Sequence, residues 1–255
     1  MTKSRLDQLL VARGLAESRA RAKAAIEAGR VTVDGAPARA ASQIVGEDAI
    51  LTYADAHRWV GRGALKLDHA LSLWPVPVEG RTVLDIGAST GGFTEVCLER
   101  GAARVYAVDV GSGQMHPRLA ADPRVINLEH TDARDLTTEL IPVPPQLTVC
   151  DASFIGLAKV LPAALSLAAP DADLVTLAKP QFEADSPGGV GKKGVVKDPE
   201  AHQAAVASVS AWLEGQGWAV QATTESPITG GDGNVEALVW AQKIRPPGGP
   251  DGPVG

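Results

Sequence analysis

The feature that most constrains the fold is a glycine-rich turn that follows a short apolar run. Residues 82–93 read Thr-Val-Leu-Asp-Ile-Gly-Ala-Ser-Thr-Gly-Gly-Phe. This order predicts a buried strand, a turn whose backbone can approach a ligand closely, and a helix with unpaired N–H groups at its start. The spacing of Gly87, Gly91 and Gly92 differs from the Gly-x-Gly-x-x-Gly of dinucleotide sites. The stretch predicts an α/β fold with a polar ligand at the turn, and an ordinary βα turn is the alternative.

Further apolar runs indicate that this turn belongs to a parallel sheet. The runs cover residues 104–109, 125–128, 147–151, 174–179, 218–220 and 235–240. Helical segments separate the first of them, which is typical of parallel strands joined by crossovers. Charged residues end four strands of this sheet: Asp85, Asp109, Asp151 and Lys179. Because ligands bind at the carboxyl ends of such strands, we expect these side chains to converge on one rim.

The N-terminal segment is basic, although the chain as a whole is acidic. The formal net charge is −6, whereas residues 3–30 contain seven basic and three acidic residues. Ser4 with Asp7 predicts a capped helix, and Ser18 predicts the cap of a second helix. A hairpin follows, which completes a unit of about 55 residues. Its basic face is either a docking surface for a polyanion or a solvated surface.

This segment resembles the RNA-binding domain of the ribosomal-protein-S4 type. The matching motifs include Arg5-Leu6-Asp7, Gly14, Ser18-Arg19 and Gly29-Arg30-Val31. Arginine side chains can bind phosphates through paired hydrogen bonds, which suits RNA. The candidate RNA-binding residues are Lys3, Arg5, Arg19, Arg21, Lys23 and Arg30, together with Lys192 and Lys193. The last two belong to a Gly- and Lys-rich segment, residues 183–202, which is either a substrate lid or a disordered loop.

The rest of the chain resembles the FtsJ-like methyltransferases, which methylate ribose 2′-hydroxyls. Asp85 and the glycine turn are similar to the first motif of S-adenosylmethionine-dependent methyltransferases, and residues 61–243 follow the FtsJ-like pattern. With the S4-like segment in front, the chain is identified as a member of the TlyA family of haemolysin A-like rRNA methyltransferases. The resemblance implies a Rossmann-like, mostly parallel sheet with an antiparallel last strand. It also implies S-adenosylmethionine as cofactor and ribosomal RNA or ribosomal subunits as partners.

The resemblance assigns the site residues as well. The implied catalytic residues are Lys66, Asp151, Lys179 and Glu236. The implied cofactor residues are Asp85, Gly87, Ala88, Ser89, Gly91, Gly92, Phe93, Asp109, Asp132 and Ala133. Asp109 is expected at the ribose and the last two at adenine, and a structural Asp132 that caps a turn is the alternative. Ala64 stands where many relatives have glycine, and we expect no loss of activity from it. No metal is expected.

The implied reaction is methylation of a ribose 2′-hydroxyl in ribosomal RNA, with cytidine as the expected nucleotide. A hydroxyl is a weak nucleophile at neutral pH and needs a nearby base. Lys179 is the candidate base, and it can accept a proton only when it is neutral. Burial and the charge of Lys66 favour the neutral form, whereas the carboxylates of Asp151 and Glu236 favour the charged form. Lys179 is therefore either the base or an electrostatic anchor.

Other functions fit the sequence less well. A nicotinamide-dependent oxidoreductase would need a different glycine spacing. A non-catalytic RNA-binding protein would tolerate damage to the four catalytic positions, and all four residues are present. A pore-forming haemolysin would need an amphipathic or apolar span. A base methyltransferase stays open, because Phe154 near Asp151 offers a ring on which a base could stack.

The sequence also predicts domain limits and location. The predicted domains are residues 1–58 for RNA binding and residues 59–243 for methyl transfer, followed by a disordered Pro/Gly-rich tail at residues 244–255. The N-terminus lacks the apolar core of a secretory signal, and Cys97 and Cys150 stand alone in apolar sequence. These features predict a cytoplasmic protein without disulfides.

Overall fold

The chain divides into two compact units in the computed structural model, which describes residues 2–183, 195–196 and 198–244. The first unit comprises Met1–Arg58 and the second Trp59–Gly255. Lys192, Lys193 and most of the predicted tail lie outside the described residues. In the described part of the chain, no helix combines the length and the apolar character needed to span a membrane.

The N-terminal unit contains two helices and two small antiparallel sheets. Its elements are β1 (Lys3–Arg5), α1 (Leu6–Ala12), α2 (Arg19–Glu27), β2 (Val31–Val33), β3 (Ala36–Pro37), β4 (Ile44–Gly46) and β5 (Leu51–Tyr53). Strand β1 pairs with β4, and β2 lies between β3 and β5. Leu6, Leu10 and Ala22 are fully buried in one apolar cluster, which gives this unit its own core.

The start of α1 differs from the prediction, whereas the start of α2 agrees with it. Ser4 belongs to β1 and does not cap α1. The carboxylate of Asp7 does not close a capping box, because it accepts hydrogen bonds from the side chains of Arg5 and Arg19. The Ser18 side chain accepts a backbone N–H in the first turn of α2, as predicted.

The second unit is built on a seven-stranded sheet. Its strands are β6 (Thr82–Ile86), β7 (Arg104–Val108), β8 (Val125–Leu128), β9 (Leu147–Cys150), β10 (Asp173–Ala178), β11 (Trp218–Glu225) and β12 (Ala237–Lys243). Their order is β11-β12-β10-β9-β6-β7-β8. Neighbouring strands from β10 to β8 are parallel, whereas β12 is antiparallel to both β10 and β11. The predicted fold class, a mostly parallel α/β sheet with an antiparallel last strand, is confirmed.

The reversal of β12 determines which residues reach the ligand-binding rim. The parallel strands bring their carboxyl ends there, so Asp109, Asp151 and Lys179 follow β7, β9 and β10 at this rim. Because β12 runs the other way, its first residue pairs with the last residue of β10. Glu236 immediately precedes β12 and therefore lies at the same rim. The prediction placed Glu236 inside a strand at residues 235–240, but the strand begins one residue after it.

Helices cover both faces of the sheet. They are α3 (Ala64–Leu73), α4 (Gly92–Glu99), α5 (Pro117–Ala120), α6 (Leu157–Val160), α7 (Pro162–Leu167) and α8 (Pro199–Gly215), with a 3-10 helix at Ala133–Asp135. Successive residues of a strand point to opposite faces. Val83 accordingly packs in the apolar cluster that includes α3 and α4, and Leu84 packs in the cluster that includes α7 and α8. Burial on both faces explains why these strands are almost continuously apolar.

Candidate active site

Two glycines in the turn between β6 and α4 adopt backbone conformations that other residues avoid. The φ angles of Gly87 and Gly91 are 78° and 93°, which lie in the left-handed region. A Cβ atom on Gly91 would lie 2.4 Å from Cδ1 of Leu119, and one on Gly87 would lie 3.0 Å from the backbone of Ala152. The turn therefore lies directly against the loop that follows β9.

A cavity of about 530 Å³ lies beside this turn, at the carboxyl ends of β6, β7 and β9. Its volume is within the usual range for ligand pockets, about 300–1,000 Å³. The predicted cofactor residues that line it are Gly87, Ser89, Asp109, Asp132 and Ala133. Lining residues that the prediction did not assign to the cofactor include Gln114, Arg134, Asp151, Ser153 and Phe154.

Asp109 is oriented to bind hydroxyl groups. Its Oδ2 accepts the backbone N–H of Ser89 at 2.8 Å, and its Oδ1 accepts that of Gly111 at 2.7 Å. Each carboxylate oxygen can accept a further hydrogen bond. A pair of neighbouring hydroxyls in the cavity can therefore bind Asp109 without displacing these contacts, which fits the ribose of an adenosyl group.

Asp85 lies beneath the turn, fully buried in β6, and does not itself line the cavity. Its Oδ2 accepts a hydrogen bond from Thr94 Oγ1 at 2.6 Å, whereas its Oδ1 has no partner among the described residues. Burial, aided by the negative charges of Asp151 and Asp109, raises the pKa of Asp85 to about 7 against the lowering effect of the Thr94 hydrogen bond. Because this acceptor lies outside the cavity lining, a contact between Asp85 and the cofactor stays a prediction.

The remaining predicted residues of the turn support it from behind. Ala88 and Phe93 are buried in the apolar core, and Gly91 allows the left-handed start of α4. Gly92 packs against the helix that begins at Ala64, because a Cβ atom on Gly92 would lie 3.0 Å from the Ala64 nitrogen. These four residues shape the turn without lining the described cavity.

Asp132 combines the two interpretations that the sequence left open. It lines the cavity, and its Oδ1 accepts the backbone N–H of Arg134 at 2.9 Å, as a cap of the 3-10 helix does. The Arg134 guanidinium lies 2.6 Å from Oδ2. These hydrogen bonds from Arg134 lower the pKa of Asp132 to about 2. Its contact with adenine, like that of Ala133, stays a prediction.

The four predicted catalytic residues lie together in one cluster, named here the tetrad: Lys66, Asp151, Lys179 and Glu236. Lys66 Nζ lies 2.6 Å from Glu236 Oε2 and 3.3 Å from Asp151 Oδ2. Lys179 Nζ lies 2.6 Å from Asp151 Oδ1 and 4.0 Å from Glu236 Oε1. Lys66 and Glu236 form an ion pair, but the angles at this contact lie outside the range of a hydrogen bond. Each carboxylate thus faces both lysines.

The tetrad is buried on one side and accessible on the other. The side chains of Lys66, Lys179 and Glu236 are 7%, 5% and 3% exposed, whereas that of Asp151 is 20% exposed. When both lysines are protonated, two positive and two negative groups offset each other, which is the condition for burying charge. Because Asp151 also lines the cavity, the accessible side of the tetrad faces the predicted cofactor site.

Two glycines allow the backbone to approach the carboxylates of the tetrad. A Cβ atom on Gly63 would lie 3.3 Å from Asp151 Oδ2, and one on Gly230 would lie 2.6 Å from Glu236 Oε1. Larger residues at these positions would displace the carboxylates from the lysines. Glycine at position 63, just before α3, therefore leaves room for the Asp151 carboxylate.

Sequence reasoning did not identify Ser153, which contacts both the tetrad and the cavity. Lys179 Nζ donates to Ser153 Oγ at 2.9 Å and to the backbone oxygen of Asp151 at 3.1 Å. Its position in the sequence could have identified it, because Ser153 lies in the loop after a parallel strand, where ligand-binding residues are common. The next residue, Phe154, is 90% exposed, and its ring centroid lies 5.6 Å from that of Phe182.

The N-terminal unit has a depression of about 850 Å³, named here the basic groove. Its predicted RNA-binding residues are Arg5, Arg19 and Lys23, and its acidic residues are Asp7 and Glu27. Arg39 also lines the basic groove. Sequence reasoning missed Arg39 because it lies in an irregular segment after β3, where no periodic pattern marks its neighbours.

Arg5 and Arg19 are oriented by the buried carboxylate of Asp7. Arg5 Nε lies 3.0 Å from Asp7 Oδ1, and Arg19 Nη2 lies 3.0 Å from Asp7 Oδ2. Hydrogen bonds from Arg5 and then Arg19 lower the pKa of Asp7 to about 2, against the effect of burial. The two arginines remain 41% and 59% exposed, so a polyanion can reach them.

Arg21 does not face solvent as its predicted role requires. Its guanidinium lies 2.8 Å from the carboxylate of Asp55 and donates to the backbone oxygen of His57, and its side chain is only 15% exposed. These contacts connect α2 to the end of the unit and occupy the guanidinium. Lys3 and Arg30 are exposed but do not line the basic groove.

Comparisons with known proteins agree with this structure. Residues 59–243 match the FtsJ-like methyltransferase family, and residues 4–51 match the S4 domain. The 16S/23S rRNA (cytidine-2′-O)-methyltransferase TlyA of Mycobacterium tuberculosis is 48% identical over 93% of this chain and 89% of that protein. Hemolysin A of Brachyspira hyodysenteriae is 35% identical over 92% of this chain and 98% of that protein.

A solved structure of similar architecture is known from Streptococcus thermophilus, where it is described as a hemolysin candidate. It has a TM-score of 0.75 and 36% identity, and the match covers 97% of this chain and 90% of that chain. The predicted enzyme class and cofactor, a methyltransferase that uses S-adenosylmethionine, are confirmed by the family match. With its S4 domain in front, the chain belongs to the FtsJ-like methyltransferase family and, within it, to the TlyA group.

Proposed function

We propose that this protein transfers a methyl group from S-adenosylmethionine to the 2′-hydroxyl of cytidine in ribosomal RNA. The observation that carries the proposal is the buried tetrad, which opens into the cofactor cavity through Asp151. The nucleotide and the type of RNA follow from the Mycobacterium tuberculosis relative, whose name specifies cytidine in 16S and 23S rRNA.

The tetrad suits the removal of a hydroxyl proton. S-Adenosylmethionine, when bound, supplies an electrophilic methyl group on a sulfonium. The protein has to hold the hydroxyl in line with that group and take its proton. Lys179 is the candidate base, and Asp151 orients it through the contact at 2.6 Å. Lys66, held between Asp151 and Glu236, steers the hydroxyl by its positive charge.

The basic groove is the proposed docking surface for the RNA. Arg5, Arg19, Lys23 and Arg39 line it, and the S4 match supports RNA as the partner. Contacts with phosphates would orient the RNA without reading its bases. Assembled ribosomal subunits are the more specific form of the proposal, and they would place the enzyme in the cytoplasm.

Methyl transfer by the purified protein tests the proposal. Labelled S-adenosylmethionine is supplied with 16S and 23S rRNA, both as naked RNA and in ribosomal subunits. Nucleoside analysis of the product should find 2′-O-methylcytidine. Asp109→Ala should weaken binding of the donor by about 1–3 kcal/mol in calorimetry, because it leaves ligand hydroxyls without their acceptor.

The outcomes separate the competing functions. A product methylated on its base would contradict the ribose assignment and would favour a role for Phe154 in stacking on that base. A protein that binds S-adenosylmethionine but modifies no RNA in either form would exclude the proposed reaction. Lys159→Ala, which changes an exposed lysine of α6 that does not line the cavity, is the control for Asp109→Ala.

A further inference from the structure

Ser153 lies between the buried amine of Lys179 and the cofactor cavity. Its Oγ is 2.9 Å from Lys179 Nζ. Ser153 lines the cavity, whereas Lys179 is 4% exposed and is absent from the described lining. A hydroxyl group bound in the cavity therefore meets Ser153 before it meets Lys179.

The backbone next to Ser153 is held in an unusual conformation. Phe154 has a φ angle of 67°, in the left-handed region that bulky residues avoid. Such a conformation is strained and persists where the surrounding structure imposes it. The close approach of Gly87 to Ala152, where an added Cβ atom would lie 3.0 Å away, restricts the same loop. The loop thus presents Ser153 to the cavity in a defined position.

The capacity for hydrogen bonds distinguishes Ser153 from the other partners of Lys179. Nζ contacts Asp151 Oδ1 at 2.6 Å, the Asp151 backbone oxygen at 3.1 Å and Ser153 Oγ at 2.9 Å. An ammonium group donates to the Asp151 backbone oxygen and to Ser153 Oγ and forms an ion pair with the Asp151 carboxylate, whereas a neutral amine has two N–H groups and one lone pair. Carboxylate and carbonyl oxygens only accept. Among these three partners, only the Ser153 hydroxyl can donate to the lone pair of a neutral Lys179.

We propose, on the basis of the ribose methylation proposed above, that Ser153 carries the proton of the substrate hydroxyl to Lys179. Before the reaction, the Ser153 O–H donates to neutral Lys179 Nζ, and Ser153 Oγ accepts the ribose O–H. As the ribose oxygen bonds to the methyl carbon, its O–H bond breaks and that proton passes to Ser153 Oγ. The original Ser153 proton passes to Nζ, and the electron pair of the broken carbon–sulfur bond stays on sulfur.

The transfer requires no movement of heavy atoms in the protein. Its products are a ribose methyl ether, a neutral serine and an ammonium group on Lys179. That ammonium group keeps the same three contacts, with Ser153 now as an acceptor. The carboxylate of Asp151 at 2.6 Å stabilises the positive charge as it forms.

Two substitutions of Ser153 test the relay in single-turnover experiments, which measure methyl transfer itself. Ser153→Ala removes the hydroxyl and should lower the rate by roughly 10²-fold, the usual share of a proton-transfer group. Ser153→Thr keeps a hydroxyl and should retain most of the rate. Calorimetry should find donor affinity preserved in both variants. Ser166→Ala, which removes an exposed serine hydroxyl in α7, is the matched control.

Solvent isotope effects separate a relay from a serine that merely holds Lys179. A relay moves two protons in one step, so the wild-type rate should curve with the deuterium fraction of the solvent. The residual rate of Ser153→Ala should depend on it linearly. A linear wild-type dependence, or a Ser153→Ala variant with the wild-type rate, would overturn the relay.

The remaining outcomes are also decisive. If Ser153→Ala loses donor binding, the rate of Ser153→Thr and the isotope dependence of the wild type decide the question. A Ser153→Thr rate roughly 10²-fold below that of the wild type would contradict the relay. A wild-type protein that binds the donor but methylates no ribose would overturn the proposed function together with the relay that rests on it.

Discussion

The Asp7 cluster and the tetrad differ in which charged partner they bury. In the N-terminal unit, the carboxylate of Asp7 is 5% exposed, while the paired Arg5 and Arg19 are 41% and 59% exposed. In the second unit, the two lysines of the tetrad are 7% and 5% exposed, and its most accessible member is Asp151 at 20%. One cluster therefore presents cations to solvent, and the other withdraws them from it.

This difference separates docking from chemistry. Exposed guanidinium groups that are already oriented can bind phosphates with little loss of side-chain freedom. Buried ammonium groups cannot meet a polyanion, but the low dielectric around them strengthens their action on a reacting hydroxyl. The burial of a lysine or arginine, rather than its presence in the sequence, thus indicates which of the two roles it can have.

The largest expected effect comes from replacing Lys179 in the tetrad. Lys179→Met keeps much of the stem volume, and Lys179→Arg keeps the charge but cannot release a proton at neutral pH. If Lys179 takes the proton, both variants should lower kcat by roughly 10²–10⁴-fold. Donor affinity, measured by calorimetry, should stay near the wild-type value. An arginine variant with near wild-type turnover would show that Lys179 is an electrostatic anchor, whose role then resembles that of the exposed arginines.

The next effect compares the stability that each cluster contributes. Glu236→Gln leaves two buried lysines with Asp151 as their remaining carboxylate in the tetrad, and it should lower the free energy of unfolding of its unit by about 3 kcal/mol. Asp7→Asn frees arginines that water can solvate, so its unit should lose about 1 kcal/mol. All five tryptophans follow residue 58, so their fluorescence reports the second unit alone.

Hydrogen exchange of α1 and α2 amides reports the first unit in the same full-length chain. Equal losses of unfolding free energy in the two units would contradict this prediction, because they would show that exposure of the partner cations does not affect the cost of removing the carboxylate. The Ser166→Ala variant provides the baseline for a surface substitution in the second unit.

The sheet could be predicted from sequence because its strands are buried on both faces. Continuous apolar runs mark such strands, and a charged residue directly after a run marks the rim. Membership of the tetrad came from family motifs rather than from spacing. The approach of Glu236 to Lys66 depends on the reversal of β12, which pairs residues far apart in the chain.

Pairing between distant residues accounts for what the sequence did not show. Arg19 and Arg21 lie on the same short helix and look alike in sequence, yet Arg21 is engaged by Asp55, 34 residues later. The predicted capping box failed because Asp7 pairs with Arg19, 12 residues away. Ser153 acquires its position through Lys179, which lies on another strand end. None of these pairings has a local sequence signal.

A pH experiment tests two of the buried acids, Asp85 and Asp7, whose effects on stability have opposite signs. Burial raises the pKa of Asp85 from 3.8 to about 7, so the donor-free protein should lose stability as the pH rises from about 4 to 7. Asp85→Asn removes this dependence. The difference in unfolding free energy, variant minus wild type, should rise over that range and level off above it when followed by tryptophan fluorescence.

Asp7, the buried acid of the N-terminal unit, should have the opposite effect on stability as the pH changes. The pKa of Asp7 is lowered from 3.8 to about 2, so its contribution is present above pH 4 and lost as the pH falls toward 2. Asp7→Asn should remove that loss in hydrogen exchange of α1 and α2. A constant difference between Asp85→Asn and wild type from pH 4 to 7 would contradict the first assignment.

The smallest expected effect concerns the exposed cations of the basic groove. Lys23 and Arg39 are exposed, line the basic groove and take no part in holding Asp7. Replacing both with alanine should reduce the slope of log affinity for a ribosomal RNA fragment against log salt by up to about two, because each phosphate contact contributes roughly 0.7–0.9. Arg104→Ala removes one exposed charge from β7 and should leave the slope unchanged. If Arg104→Ala weakens RNA binding as much as Arg39→Ala does, overall charge rather than the basic groove governs that binding. The exposed cations of the basic groove would then have no special role in docking the RNA.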